Sequence, residues 1–147
     1  MPDIQLNMLA IGIAVIAHFV LGFLWYMPLF GKIWGREMGY DPNEKPKSSE
    51  MIKGMVFNLI GNFFLVYVFS HNIAAWDPRS WGLPASEASA ASTAMMAAVF
   101  TWLGFYFPVD LGSTVWDRRS WTLFFINTAY HLVSLLVVAF ILVYMSL

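Results

Sequence analysis

Three histidines and no cysteine bound the chemistry open to this chain of 147 residues. Disulfides, thiolate metal sites and cysteine nucleophiles are excluded outright. His18 and His131 fall inside long charge-free stretches, as do Asn58, Asn62 and Asn127. Histidine alone titrates near neutral pH without help, so a cavity formed by these five residues would bind a small polar group or relay a proton. The competing reading is structural: each imidazole bonds an asparagine or a carbonyl on a neighbouring helix and only fixes packing. A third reading is a bis-histidine haem b held by His18 and His131, because axial ligation needs neutral imidazoles facing each other across the iron. No other cofactor is expected. Zinc or copper fits poorly, since His71 lies far from the other two histidines and no carboxylate falls within a charge-free stretch to complete a ligand set. The same absence leaves no nucleophile beside a positioned acid or base, so no catalytic residue is assigned and an enzyme is not expected. Asp110 and Asp117 lie near one set of boundaries, Asp77 and Glu87 near the other. Helix capping is their expected role, for Glu87 especially, just after Ser86.

The elements that must position these residues follow from composition. Hydrophobic residues make up 59% of the chain and charged residues 12%, about half the charged fraction of an ordinary soluble domain. A soluble globule of this composition could not cover itself with polar surface, whereas in lipid an apolar exterior is the stable one. Four uninterrupted stretches run from Ile4 to Gly31, Gly54 to Trp76, Ala88 to Val109 and Ser120 to Leu147. Each exceeds the roughly 20 residues that cross ~30 Å of hydrocarbon. The predicted fold is therefore all-α, an integral membrane four-helix bundle forming one domain, with spans over residues 4–28, 54–76, 88–108 and 120–145. The first span is expected to be retained: its apolar run is too long for a signal peptide, and basic residues follow rather than precede it. A mitochondrial targeting segment is not expected either.

The linkers separate by charge. Lys32, Arg36, Lys45, Lys47 and Lys53 lie between spans one and two, Arg118 and Arg119 between spans three and four, and Arg79 between spans two and three. Under the positive-inside rule the two basic loops are cytoplasmic, and both termini of this inner-membrane protein face outward. Trp25, Tyr26, Trp34, Trp116 and Trp121 would mark the inner interface, and Trp76, Trp81 and Tyr144 the outer one. Residues 29–39 carry Leu29, Phe30, Ile33, Trp34 and Met38 at near-helical spacing, which predicts a short interfacial helix. The polar remainder of that linker reads as a solvated loop, with Ser48 or Ser49 capping the second span.

At the end of span one the chain reads Gly22-Phe-Leu-Trp25-Tyr26-Met-Pro28-Leu-Phe30-Gly31-Lys32-Ile-Trp34, followed by Gly39. This resembles the signature of the bacterial membrane family catalogued as domain of unknown function 1761. A final helix with Asn127, Tyr130 and His131 extends the likeness to the whole chain. The resemblance implies a four-helix membrane protein and supplies no activity. Mechanically, Pro28 removes a backbone donor and disfavours helical geometry at Met27, so the span should kink or end there, and Gly31 lets the chain turn. The motif residues Gly22, Trp25, Tyr26, Pro28, Gly31 and Trp34 are accordingly read as structural. Leu21-Gly22-Phe23 before Tyr26-Met-Pro28 is echoed by Leu103-Gly104-Phe105 before Tyr106-Phe-Pro108, and Asn58 and Asn62 match Asn127 and His131 in spacing. A tandem duplication of a two-helix hairpin would produce both echoes.

Depth brings the polar residues together. In a centred span His18 and His131 each fall about two residues to the cytoplasmic side of the midplane and Asn62 about three. Asn58 and Asn127 lie one turn nearer the cytoplasm, on the same faces as Asn62 and His131. Ala14 and Gly22 flank His18 by one turn each, allowing close approach, and the Ser/Ala-rich start of span three suits helix packing. Four short spans enclose little volume, so a homodimer through small-residue faces is the expected assembly. With a net charge of −1 and no basic stripe, nucleic acid is not an expected partner; the bilayer and an unidentified small molecule are.

Overall fold

The computed structural model describes residues 2–146, and every regular element among them is helical. Four helices are long and apolar enough to cross a membrane: α1 (Met8–Leu29), α3 (Ser48–Trp76), α4 (Ala90–Trp116) and α5 (Trp121–Ser146). The short α2 (Gly31–Glu37) follows α1. Helix α1 starts later than the charge-free run that contains it, because the Asn7 side chain accepts from the Ala10 amide at 3.1 Å and caps the helix there. Asn7 Nδ2 also donates to the Met145 carbonyl at 2.8 Å, tying the start of α1 to the end of α5. The Asp3 amide donates to the Ser80 carbonyl at 2.8 Å, which brings the α3–α4 loop to the same end. Alternation of the long helices then leaves seven of the eight basic residues at the opposite end.

Two expected caps are replaced. Ser48 is already inside α3, whose flanking Lys47 makes no side-chain cap bond. Glu87 does not cap α4; Ser89 does, its hydroxyl accepting from the Ser92 amide at 3.2 Å. In the α3–α4 loop the Arg79 guanidinium bonds both oxygens of Asp77, at 3.0 and 2.6 Å to Oδ2, and so holds the Asp77 carboxyl below the ordinary carboxylate range.

Helix α5 is the hub. It packs along both α1 and α4, and α1 in turn packs on α3. Small side chains set these distances: Ala10 and Ala14 on α1, Ala94 and Ala98 on α4 and Ala139 on α5 are all fully buried. Close backbone approach of this kind is how apolar helices associate where lipid offers no hydrophobic drive. Ile11, Val66, Leu135 and Val138 fill the remaining core. Helices α3 and α4 face one another across an open groove, and residues 48–61 of α3 are exposed throughout.

The two prolines act differently: α1 stops at Leu29, one residue past Pro28, as the motif predicts, whereas α4 runs on past Pro108. Around Pro28 the helix widens into a π turn over Trp25–Leu29, with the Phe30 amide reaching back five residues to the Trp25 carbonyl at 2.9 Å. A second π turn, Trp102–Tyr106, precedes Pro108. The Phe107 amide bonds the Trp102 carbonyl, and α4 runs on to Trp116, eight residues beyond the predicted end of span three.

A Cβ at position 31 would lie 2.7 Å from the Tyr26 backbone carbonyl, whereas one at position 35 meets nothing within 4 Å. Gly31→Ala should therefore destabilise the fold by about 1–3 kcal/mol, and Gly35→Ala should be neutral or stabilising by up to ~1 kcal/mol. Unfolding of both variants in detergent, followed by circular dichroism, checks the contrast.

Candidate functional site

The end of α1 is bolted to α5 through the aromatic motif. Trp25 donates its indole N–H to the Ile126 carbonyl at 3.1 Å, and Tyr26 donates its hydroxyl to Asn127 Oδ1 at 2.9 Å. Trp102, opening the other π turn, does the same from α4, donating to the Thr128 carbonyl at 2.9 Å. These bonds are strong positioning devices, since a carbonyl in apolar surroundings has no water with which to exchange them. They set the height at which α1 and α4 meet α5.

At that height α5 presents Tyr130 and His131. His131 Nδ1 lies 2.8 Å from Asp110 Oδ2 on α4, with the two side chains only 27% and 12% exposed. The Tyr106 ring packs on the imidazole at 4.7 Å between centroids. Tyr106 and Asp110 are one helical turn apart, so both reach the same face. Thr114 continues that face, its hydroxyl donating to the Asp110 carbonyl at 3.0 Å, and on α5 Ser134 donates to the His131 carbonyl at 3.0 Å. A carboxylate thus does lie within a long helix, against the expectation from charge-free stretches. Asp110 is a partner of His131, and no capping role is seen for it.

His18 faces inward from α1 at 4% exposure, and neither ring nitrogen has a hydrogen-bond partner. Asn62 of α3 lies beside it at 6% exposure, its amide near enough to act on the imidazole as a hydrogen-bonding group although its Nδ2 makes no bond of good geometry. Leaving such groups unpaired costs about 1–3 kcal/mol each, which any polar guest that bonds them would offset. The Tyr130 ring joins the two halves of the layer: its centroid is 5.8 Å from the His18 ring, 5.7 Å from His131 and 5.0 Å from Tyr26. Gly22 makes room for it, since a Cβ there would stand 2.9 Å from Tyr130 Oη. Trp34 of α2 closes on Tyr26 from below at 5.5 Å.

Of the residues singled out from sequence, His18, Asn127 and His131 lie around Tyr130 and Tyr26, and Asn62 adjoins His18. Asn58 does not join them; it is exposed on the half of α3 that has no neighbour. His71 is satisfied on its own helix, its Nδ1 lying 3.1 Å from the Tyr67 carbonyl. Asp110, Tyr106 and Tyr130 are members that the charge-free stretches did not reveal. Tyr106 and Asp110 stand at i and i+4, and that spacing was the available signal. Among the described residues no three of His, Cys, Asp and Glu converge as a metal set. Chemically, the layer offers one pair that can hold a proton between nitrogen and carboxylate oxygen, and one buried imidazole–amide pair with unused bonding capacity.

The chain belongs to the family described as Protein of unknown function (DUF1761), whose profile matches residues 9–143 and so nearly the whole length. No curated protein and no solved structure matches it.

The His131–Asp110 contact predicts a measurable coupling. Asp110→Leu and His131→Phe should each destabilise the protein, by about 1–3 kcal/mol, and the double variant should cost less than their sum by at least ~1 kcal/mol. A double-mutant cycle of unfolding in detergent reads this directly; additive losses would show that the two groups do not act as a pair.

Proposed function

We propose that this is a non-enzymatic multi-pass inner-membrane protein whose helices bind or pass a proton or a small polar species at the layer formed by His18, Asn62, Asn127, His131 and Asp110. The observation that carries the reading is the coexistence, in one apolar helical assembly, of a hydrogen-bonded imidazole–carboxylate pair and a second, buried imidazole beside the Asn62 amide, with no hydrogen bond of good geometry to either ring nitrogen. Ionisable groups are expensive in hydrocarbon and serve as site markers there. A chain needing only packing would do better with aliphatic side chains at these positions. A scaffold role without a site remains the competing reading. Haem b has no observation in its favour: a porphyrin held by His18 and His131 would have to displace the Tyr130 ring that neighbours both.

The clustering of seven basic residues at one end supports an orientation with those loops in the cytoplasm and both termini outside. A tandem origin of the two hairpins is supported by their shared device, a π turn that opens on a tryptophan beside a proline. A homodimer is supported by the uncovered half of α3, where Gly54, Asn58 and Gly61 share a face. Asparagine amides both donate and accept, and so pair across a two-fold axis.

Proteoliposomes loaded with a pH-sensitive dye and driven by a potassium diffusion potential test the proton form of the proposal. The intact protein should dissipate the imposed gradient faster than empty vesicles, and His131→Leu, Asp110→Asn and His18→Leu should each slow it. A folded His18→Leu, His131→Leu double variant with undiminished flux would sink the site and favour the scaffold.

A further inference from the structure

The groove between α3 and α4 encloses about 1250 Å³, more than the ~300–1,000 Å³ of an ordinary small-molecule pocket. Its walls are apolar, with Phe69 and Ile73 on one side and Met96, Ala97 and Phe100 on the other, and Leu142 and Val143 of α5 form its floor. Its mouth is polar, lined by Asp3, Gln5, Asp77, Arg79 and Ser80. A contiguous inner part of about 310 Å³ carries it down to Leu65 and Tyr106. Below that level α3 has no neighbour, residues 48–61 being exposed, and the concavity is gone.

Length and charge select the occupant. From Trp76 to Leu65 is eleven residues of helix, roughly 17 Å at ~1.5 Å per residue, close to the ~15 Å half-thickness of a bilayer core. A transmembrane helix of another protein would need a groove through both leaflets, whereas an acyl chain needs one. Asp77 and Arg79 at the mouth are paired with each other, which leaves Asp3 as the charge in excess; an anionic headgroup therefore meets net repulsion, whereas an ammonium group meets Asp3 and a phosphate meets the Nη1 edge of Arg79 that Asp77 does not use. We propose that the groove between α3 and α4 is a binding site for one zwitterionic, amine-bearing phospholipid of the leaflet on the Asp77–Arg79 side. Its headgroup sits at that loop and its acyl chains run between Phe69 and Phe100 over Leu142. The inner end of the groove reaches Tyr106 of the polar layer, but the headgroup lies at the opposite end, so the proposal stands whether or not that layer handles protons.

Native mass spectrometry of the full chain, released into mild detergent from nanodiscs of equimolar phosphatidylethanolamine and phosphatidylglycerol, tests it. The expected result is retention of a single phosphatidylethanolamine, lost in Ala97→Trp, which fills the groove, and kept in Ile16→Trp, which lies on the exposed face of α1. Asp3→Asn with Asp77→Asn should erase the preference between the two lipids; this surface change decides the matter if Ala97→Trp fails to fold. Retained lipid in the proportions of the nanodisc, or equal retention by folded Ala97→Trp, would overturn the proposal. So would cross-linking of Ala97→Cys to a second copy in the membrane, because a protein would then occupy the groove.

Discussion

In hydrocarbon a polar group finds its partner within the protein or goes without, and this one constraint arranges the molecule. Each indole that enters the interior is spent on a carbonyl of α5, and the Tyr26 hydroxyl on Asn127. The carboxylate of Asp110 is set against the half-buried imidazole of His131. By contrast the nitrogens of His18 and Asn62, buried side by side, make no hydrogen bond of good geometry.

The π turns are how that layer is assembled. A proline inside an α-helix removes one amide donor and crowds the carbonyl four residues back. Widening the turn by one residue lets an amide near the proline reach a carbonyl five residues back, so Phe30 bonds Trp25 and Phe107 bonds Trp102. Helix α1 still stops one residue past Pro28, whereas α4 survives Pro108. In α4 this survival has a consequence for the site, since it carries the chain past Pro108 in register and delivers Asp110 one turn below Tyr106. Had α4 stopped at its proline, the carboxylate would have lain in a loop at the interface and His131 would face only rings.

This explains which parts of the molecule could be read from residues alone. Four long helices, the short helix after the first, and the small-residue contacts at Ala14 and Gly22 follow from composition and period, which local physics controls. The His18–Asn62 neighbourhood followed from depth, because rise per residue converts position to height. Asp110 is not legible in this way, because a charge that ends a charge-free stretch can equally lie inside the helix, as it does in α4. Asn58 escaped differently. Its spacing from Asn62 places it on the same helical face, but whether a face has a neighbour depends on the direction in which α3 leaves α1, and no local pattern encodes that.

That divergence of α3 also bears on the symmetry of the fold. If the two hairpins were related by a two-fold axis, the contact of α1 with α5 would imply an equal contact of α4 with α3. The first is among the most extensive in the molecule, and the place of the second is taken by the groove. Side chains account for the difference. The α1–α5 interface is built from Ala10, Ala14 and Ala139, which let two backbones come close, whereas the facing surfaces of α3 and α4 carry Phe69, Met96 and Phe100. The same substitution of large for small residues therefore gives one closed interface that positions the histidines and one open interface that is accessible from the lipid.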